Sequence, residues 1–345
     1  MSTVVYVSNA DSGDISLLSM AADGTLSPVA TVAVGGTVMP LAVSPCRHFL
    51  YAARRSEPMA VVSFALDPTS GALTRLGEAP LPASMAYIAT DGSGRWLFAA
   101  SYQGDVLTVS PIGVDGIVGP VQQSIATGRH AHAILPAPSN RHVLATSLGG
   151  GVVMQFNFDA GSGRLTPNAP ATLPIRPGAG PRHLRFHPNG RVVYLLNELD
   201  ASLEVLRFDA ESGLLEPLQT VDTLPPGFSG EPWAADLQIT PNGCFLYSSE
   251  RRSSTLAGFR IDPDSGHLTL IGHTPTETQP RGFAIDGTGR FLLAVGQLSD
   301  HLSRYVIDCA SGALQIVQRV AVGRNPNWVE VVPLSVSVSV PLSTP

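Results

Sequence analysis

Apolar residues along this chain fall in short runs of about five to seven, some continuous and some alternating with polar positions. Each run is bounded by turn residues, chiefly Asp, Gly, Ser, Asn and Pro. Runs of that length and pattern are strands rather than helices.

One turn recurs along the chain. It reads DPTSGAL at Asp67–Leu73, DAGSGRL at Asp159–Leu165, DAESGLL at Asp209–Leu215, DPDSGHL at Asp262–Leu268 and DCASGAL at Asp308–Leu314, with shorter copies at Asp23 (DGTL) and Asp115 (DGIV). The seven copies start 44 to 53 residues apart, and their Asp and Gly supply the backbone conformations of a tight hairpin. A second turn alternates with the first: PCRHFLY at Pro45, DGSGRWLF at Asp91, PSNRHVL at Pro138, PNGRVVY at Pro188, PNGCFLY at Pro241 and DGTGRFLL at Asp286. Each unit then holds four strands, and a four-stranded unit of ~40–50 residues is a propeller blade. The prediction is an all-β, seven-bladed β-propeller.

One unit lacks the second turn, and the chain ends account for it. The stretch from Asn325 (NPNWVEVVP) reads as an innermost strand with no partner after it, and that from Thr3 (TVVYVSN) as a second strand with none before it. Their pairing is expected to close the ring and remove its open sheet edges. The propeller is expected to form one domain over residues 1–333, with 334–345 (LSVSVSVPLSTP) a flexible tail.

Composition narrows the chemistry. With 44% hydrophobic and 14% charged residues among 345, the chain can bury a large core. A formal net charge of −6 offers no footprint for nucleic acid. All 21 Lys+Arg residues are arginines. That excludes Schiff-base chemistry and a Walker-type lysine, and leaves guanidinium as the strong cation for an anionic ligand. Cys46, Cys244 and Cys309 are far apart and in no metal spacing, so reduced, buried or inert thiols are expected. The N-terminus lacks a secretory pattern and no apolar run approaches the ~20 residues of a membrane span. A soluble, cytoplasmic protein without membrane or nucleic-acid partners, monomeric or weakly homo-oligomeric, is the expectation.

The repeat also supplies coordinates for the unusual residues. Eight positions before the inner hairpin turn stand Met39, Ala86, His132, Arg182, Ala235 and Arg281. Eight positions after it stand Arg55, Tyr102, Leu148, Glu198, Arg251 and Gln297. A hairpin folds back on itself, so both columns converge on one mouth of the central channel. His132, Arg182, Arg281, Glu198 and Arg55 are therefore expected to face one space. Any one of these residues is as readily structural as functional; their coincidence at one offset favours function. Weaker constellations are the H-x-H pair His130 and His132, read as one strand face, and His183 with His187, four apart. Neither has a third ligand for zinc, so no metal and no cofactor are expected. Trp233 and Trp328 read as packing residues, with ligand stacking the less favoured role.

The segments GAGPRHLRFHPNGRVVYLLNEL (178–199), EPWAADLQITPNG (231–243), TETQPRGFAIDGTGRFLLAVGQ (276–297) and VGRNPNWVEVV (322–332) resemble the bacterial propeller-type 6-phosphogluconolactonases, over roughly residues 3–332. The same superfamily holds a fungal carboxy-muconate cyclase whose catalytic set of a histidine, two arginines and a glutamate corresponds here to His132, Arg182, Arg281 and Glu198. The stretch after His132 (AILPAP) is more apolar than in the bacterial lactonases. The resemblance implies hydrolysis of 6-phospho-D-glucono-1,5-lactone, a phosphosugar lactone, in the oxidative pentose phosphate pathway. Arg55, Arg182, Arg281 and His183 are then the substrate- and phosphate-binding candidates, and Glu198 or His132 the general base. The alternatives are a lactonising cyclase acting on a muconate-like dicarboxylate, a metal-dependent sugar lactonase, and a protein-binding propeller. The last would show aromatic patches on a rim, against an aromatic content of 6%.

Overall fold

The computed structural model describes residues 3–334. Those residues form seven four-stranded antiparallel sheets arranged as a ring of blades. The innermost strands are Pro326–Pro333 in blade 1, Val38–Val43 in blade 2, Tyr87–Thr90 in blade 3 and Ala131–Pro136 in blade 4. Pro181–Phe186, Ala234–Ile239 and Pro280–Ile285 complete the ring as blades 5, 6 and 7.

Closure occurs as expected. The strand Thr3–Asn9 lies between Pro326–Pro333 and Asp14–Met20, with Thr3 opposite Pro333, Val5 opposite Val331 and Val7 opposite Val329. The tail expected over 334–345 falls outside the described residues except for Leu334, which is buried against the core. Among the described residues no helix is long and apolar enough to cross a membrane.

Burial explains why some runs are continuous and others alternate. Second strands such as Val192–Asn197 and Phe245–Glu250 are buried along their whole length, because a neighbouring blade covers each sheet face. Outer strands such as Leu26–Ala33 and Leu215–Asp222 are mostly exposed. Each Val, Leu or Phe taken fully out of water between blades contributes roughly 1.5–3 kcal/mol. The clusters run from blade to blade: Tyr194, Leu203 and Val205 pack with Leu246 and Phe259 of the next blade.

The outer hairpin turn does more than reverse the chain. Tyr6 Oη donates to the carbonyl of Gly71 (2.6 Å), Tyr194 Oη to Gly266 (2.8 Å) and Tyr247 Oη to Gly312 (2.7 Å). In each case a second-strand tyrosine reaches the outer turn of the following blade. The three cysteines depart from expectation: Cys46, Cys244 and Cys309 are free but exposed, because each sits in a hairpin turn and not on a packed strand face.

Candidate active site

The column eight positions before the inner turn coincides with a β-bulge in most blades. The pairing of the innermost strand with its neighbour shifts between Val38 and Leu41, Ala131 and Ile134, Pro181 and His183, Ala234 and Leu237, and Pro280 and Phe283. A bulge leaves a residue unpaired and re-aims its side chain. His132, Arg182 and Arg281 occupy these positions and turn toward the mouth of the channel.

Glu198 leaves the second strand of blade 5 at the same level and organises the group. Its Oε2 accepts from Arg182 Nε at 2.7 Å and lies 2.9 Å from Arg251 Nη2. Arg182 is fully buried and also donates to the carbonyl of Ala235. Arg251 donates to the carbonyls of Trp233 and Ala234 at 3.0 Å each, and its guanidinium lies 3.8 Å from the Trp233 ring centroid. Trp233 thus covers a cation of the site. Arg55 donates through Nε to Ser84 Oγ at 2.7 Å. Arg281 enters no ion pair among the described residues, and the charges of Arg182, Arg251 and Arg55 all reach it.

Four guanidinium groups therefore share one ion-paired carboxylate among the described residues, with Asp236 and Glu250 acting on Arg182 and Arg251 from farther off. Burial, then repulsion from Arg182, pushes Arg251 down to about 9. Burial and the same like charges hold Arg281 well below the usual arginine range. Burial alone would raise the Glu198 carboxyl, but Arg182, Arg251 and Arg281 overcome it and keep Glu198 below the ordinary glutamate value. That makes Glu198 a clamp for cations and a weak proton acceptor.

A second layer lies just beneath. His183 follows Arg182 on the same strand and is fully buried; its Nδ1 lies 2.9 Å from Asp236 Oδ1. Asp236 also accepts from the Gln238 side chain at 3.1 Å and the Leu237 amide at 2.9 Å, with Arg185 3.8 Å away. His132 packs against His183, with ring centroids 5.0 Å apart, and against Tyr102 at 5.9 Å. Burial, followed by the charge of Arg182, holds both imidazoles well below 6.5, so both are neutral at pH 7. Among the described residues, His132 Nδ1 and His183 Nε2 are buried without a hydrogen-bond partner. Deeper still, Arg185, Asp236, Gln238 and Glu330 line a cavity of about 160 Å³ on the far side of this layer.

The five residues expected at the mouth are thus brought together, with His183 one layer below. His130 is not part of the group in the manner expected. It precedes the strand with φ 63° and stacks on Tyr102 at 4.2 Å, so it does not share a strand face with His132. His187 is tied to the carbonyl of Gly243 at 3.1 Å, at the opposite end of its strand. Two members escaped sequence reasoning. Arg251 stood in the forward column but its blade offers Ala235 as partner, and Asp236 becomes a channel residue through the bulge beside it. Among the described residues, no three His, Cys, Asp or Glu side chains are grouped to hold a metal ion.

Comparison with known proteins gives a consistent set of relatives. Residues 3–331 match the family model described as Lactonase, 7-bladed beta-propeller. The 6-phosphogluconolactonase of Pectobacterium carotovorum is 45% identical over 334 residues, covering 97% of this chain and all of that protein. The Serratia proteamaculans 6-phosphogluconolactonase is 41% identical, covering 96% of this chain and 99% of its own. Among solved structures, the periplasmic gluconolactonase of Pseudomonas aeruginosa superimposes with a TM-score of 0.90 at 29% identity, covering 97% of this chain and 100% of that one. A Lactobacillus plantarum protein gives a TM-score of 0.88 at 26% identity, covering 96% and 100% of the two chains.

Proposed function

Since the chain belongs to the seven-bladed β-propeller lactonase family, we propose that it hydrolyses 6-phospho-D-glucono-1,5-lactone to 6-phospho-D-gluconate at this channel mouth. The observation that carries the reading is the excess of guanidinium over carboxylate: Arg55, Arg182, Arg251 and Arg281, with Glu198 the one carboxylate in ion-pair contact with them among the described residues. A dianionic phosphate relieves that like-charge repulsion, and arginine binds it bidentately.

Roles follow from what each group is free to do. Arg281 and Arg55, neither paired with a carboxylate among the described residues, bind the phosphate. Arg182, held by Glu198 and the Ala235 carbonyl, is fixed toward the lactone carbonyl and stabilises the oxyanion as water adds. His132, held neutral by burial and the charge of Arg182, is the general base. It takes a proton from the attacking water and returns it to the ring oxygen as the C1–O5 bond breaks. The product acid then ionises, releasing one proton to solvent. Glu198, already clamped by two cations, positions Arg182 and Arg251. Phosphosugar lactones form inside cells, so a cytoplasmic location belongs to the same proposal.

The test compares freshly generated 6-phosphogluconolactone with unphosphorylated gluconolactone, chelator present, for wild type and Arg281→Ala. The expected result is turnover well above the spontaneous rate, faster with phosphate, and a KM for the phosphorylated lactone raised at least tenfold, about 1.4 kcal/mol, in the variant. Equal use of both lactones would move the reading to an unphosphorylated gluconolactone, as the name of the Pseudomonas relative has it. No turnover of either lactone sinks it.

A further inference from the structure

The second layer contains an arrangement that the mouth alone does not explain. His183 Nδ1 and Asp236 Oδ1 are 2.9 Å apart, both side chains buried. Burial raises the Asp236 carboxyl and Arg185 and Arg182 oppose that shift; Asp236 also receives the Gln238 amide and the Leu237 N–H, and as a carboxylate it takes a bond from His183 Nδ1–H. His183 Nε2 is then a lone pair, and it is buried without a partner. The neighbouring ring, His132, also presents a buried nitrogen without a partner, Nδ1. The ring centroids are 5.0 Å apart at 64°. The His132 ring, free to turn about its Cβ–Cγ bond, can bring Nδ1 toward His183 Nε2 while His183 stays on Asp236.

We propose that Asp236, His183 and His132 form a linear relay across the channel, in which Asp236 and His183 are positioning residues for the catalytic imidazole of His132. Asp236 keeps the His183 proton on Nδ1; His183 Nε2 in turn draws the His132 proton to Nδ1. His132 Nε2 is left as a lone pair toward the substrate. When water adds to the lactone carbonyl, its proton passes to His132 Nε2. The imidazolium formed there keeps its Nδ1–H toward His183, and the Asp236 carboxylate stabilises the charge. The proton leaves His132 for the departing ring oxygen, and the relay returns to its starting state. This gives His183 a role other than the phosphate contact expected of it. The groups around the two rings are Arg182 and Arg185 from blade 5, Arg251 and Asp236 from blade 6, Arg281 from blade 7, and Tyr87 and Tyr102 from blade 3. Burial, and then the cations, keep the rings neutral, and Asp236 is the carboxylate in contact with His183.

The proposal rests on lactone hydrolysis at the mouth, so its test has one readout with activity and one without. Asp236→Asn can turn an amide N–H toward His183 Nδ1, which moves the His183 proton to Nε2 and the His132 proton to its own Nε2. The lone pair facing substrate is lost. For histidine–carboxylate pairs such a reversal costs on the order of 10²–10⁴ in kcat. The expectation is a kcat lowered at least a hundredfold with KM within threefold, while Asp236→Glu recovers part of the rate. Independently, nitrogen-15 NMR of labelled histidines, assigned with His132→Asn and His183→Asn, reads the tautomers. Both rings are expected as Nδ1–H in wild type and as Nε2–H in Asp236→Asn. An active enzyme whose Asn variant keeps its kcat overturns the relay, as does an Nε2–H tautomer of either ring in wild type. If wild type turns over no lactone, the functional reading fails and the tautomers alone decide the relay.

Discussion

Glu198 has two guanidinium partners and little access to water, so its charge cannot be removed without consequence. Glu198→Gln leaves Arg182 and Arg251 as buried cations with no carboxylate between them. Breaking a buried pair from one side costs about 3–5 kcal/mol. The expected outcome is a lowered unfolding midpoint and a kcat/KM down about a hundredfold. Added 6-phosphogluconate should restore part of the midpoint, because an anion at the mouth replaces the lost charge. A variant with wild-type stability and kcat/KM would show that the clamp is dispensable. Most of this cluster was legible in the sequence, since His132, Arg182 and Arg281 share one offset from their turns and Glu198 stands at the matching offset. Arg251 was legible but isolated, its counterpart being Ala235. Asp236 was not, because only the bulge beside it tells that it faces the channel and not the neighbouring blade.

At the level of strands and turns, the period and its two hairpins were written plainly in the Asp/Gly spacing, while the bulges left no mark on it. That is why His130 and His132 read as one face: a two-residue period assumes an unbroken strand, and the strand begins only at Ala131 and is bulged by Ile134. The tyrosine-to-turn bonds were equally hidden, since they join residues 65 to 72 positions apart. They make these three outer hairpins latches on the preceding blade. Tyr194→Phe keeps the ring packed between blades and removes the donor to the Gly266 carbonyl. The expected loss is about 1–1.5 kcal/mol, read as a lower urea midpoint with unchanged slope and unchanged KM. A change in KM without a change in midpoint would contradict a latch that acts on stability alone.

The whole ring depends on one pairing that joins residues more than 300 positions apart, Thr3 opposite Pro333. Deleting Pro326–Pro333 strips blade 1 of its innermost strand and exposes the edge of Thr3–Asn9. The truncated chain is expected to aggregate or to lose its cooperative unfolding transition, as circular dichroism during heating would register. A monomeric product with a sharp transition would mean that six blades and three strands close without it. The same pairing sets a schedule for the protein's birth. Thr3–Asn9 leaves the ribosome more than 300 residues ahead of its inner partner, so blade 1 waits incomplete while the other six blades are made. A message broken before Pro326 then yields a chain with every strand but one and unable to seal its ring, leaving the edge of Thr3–Asn9 open to quality control.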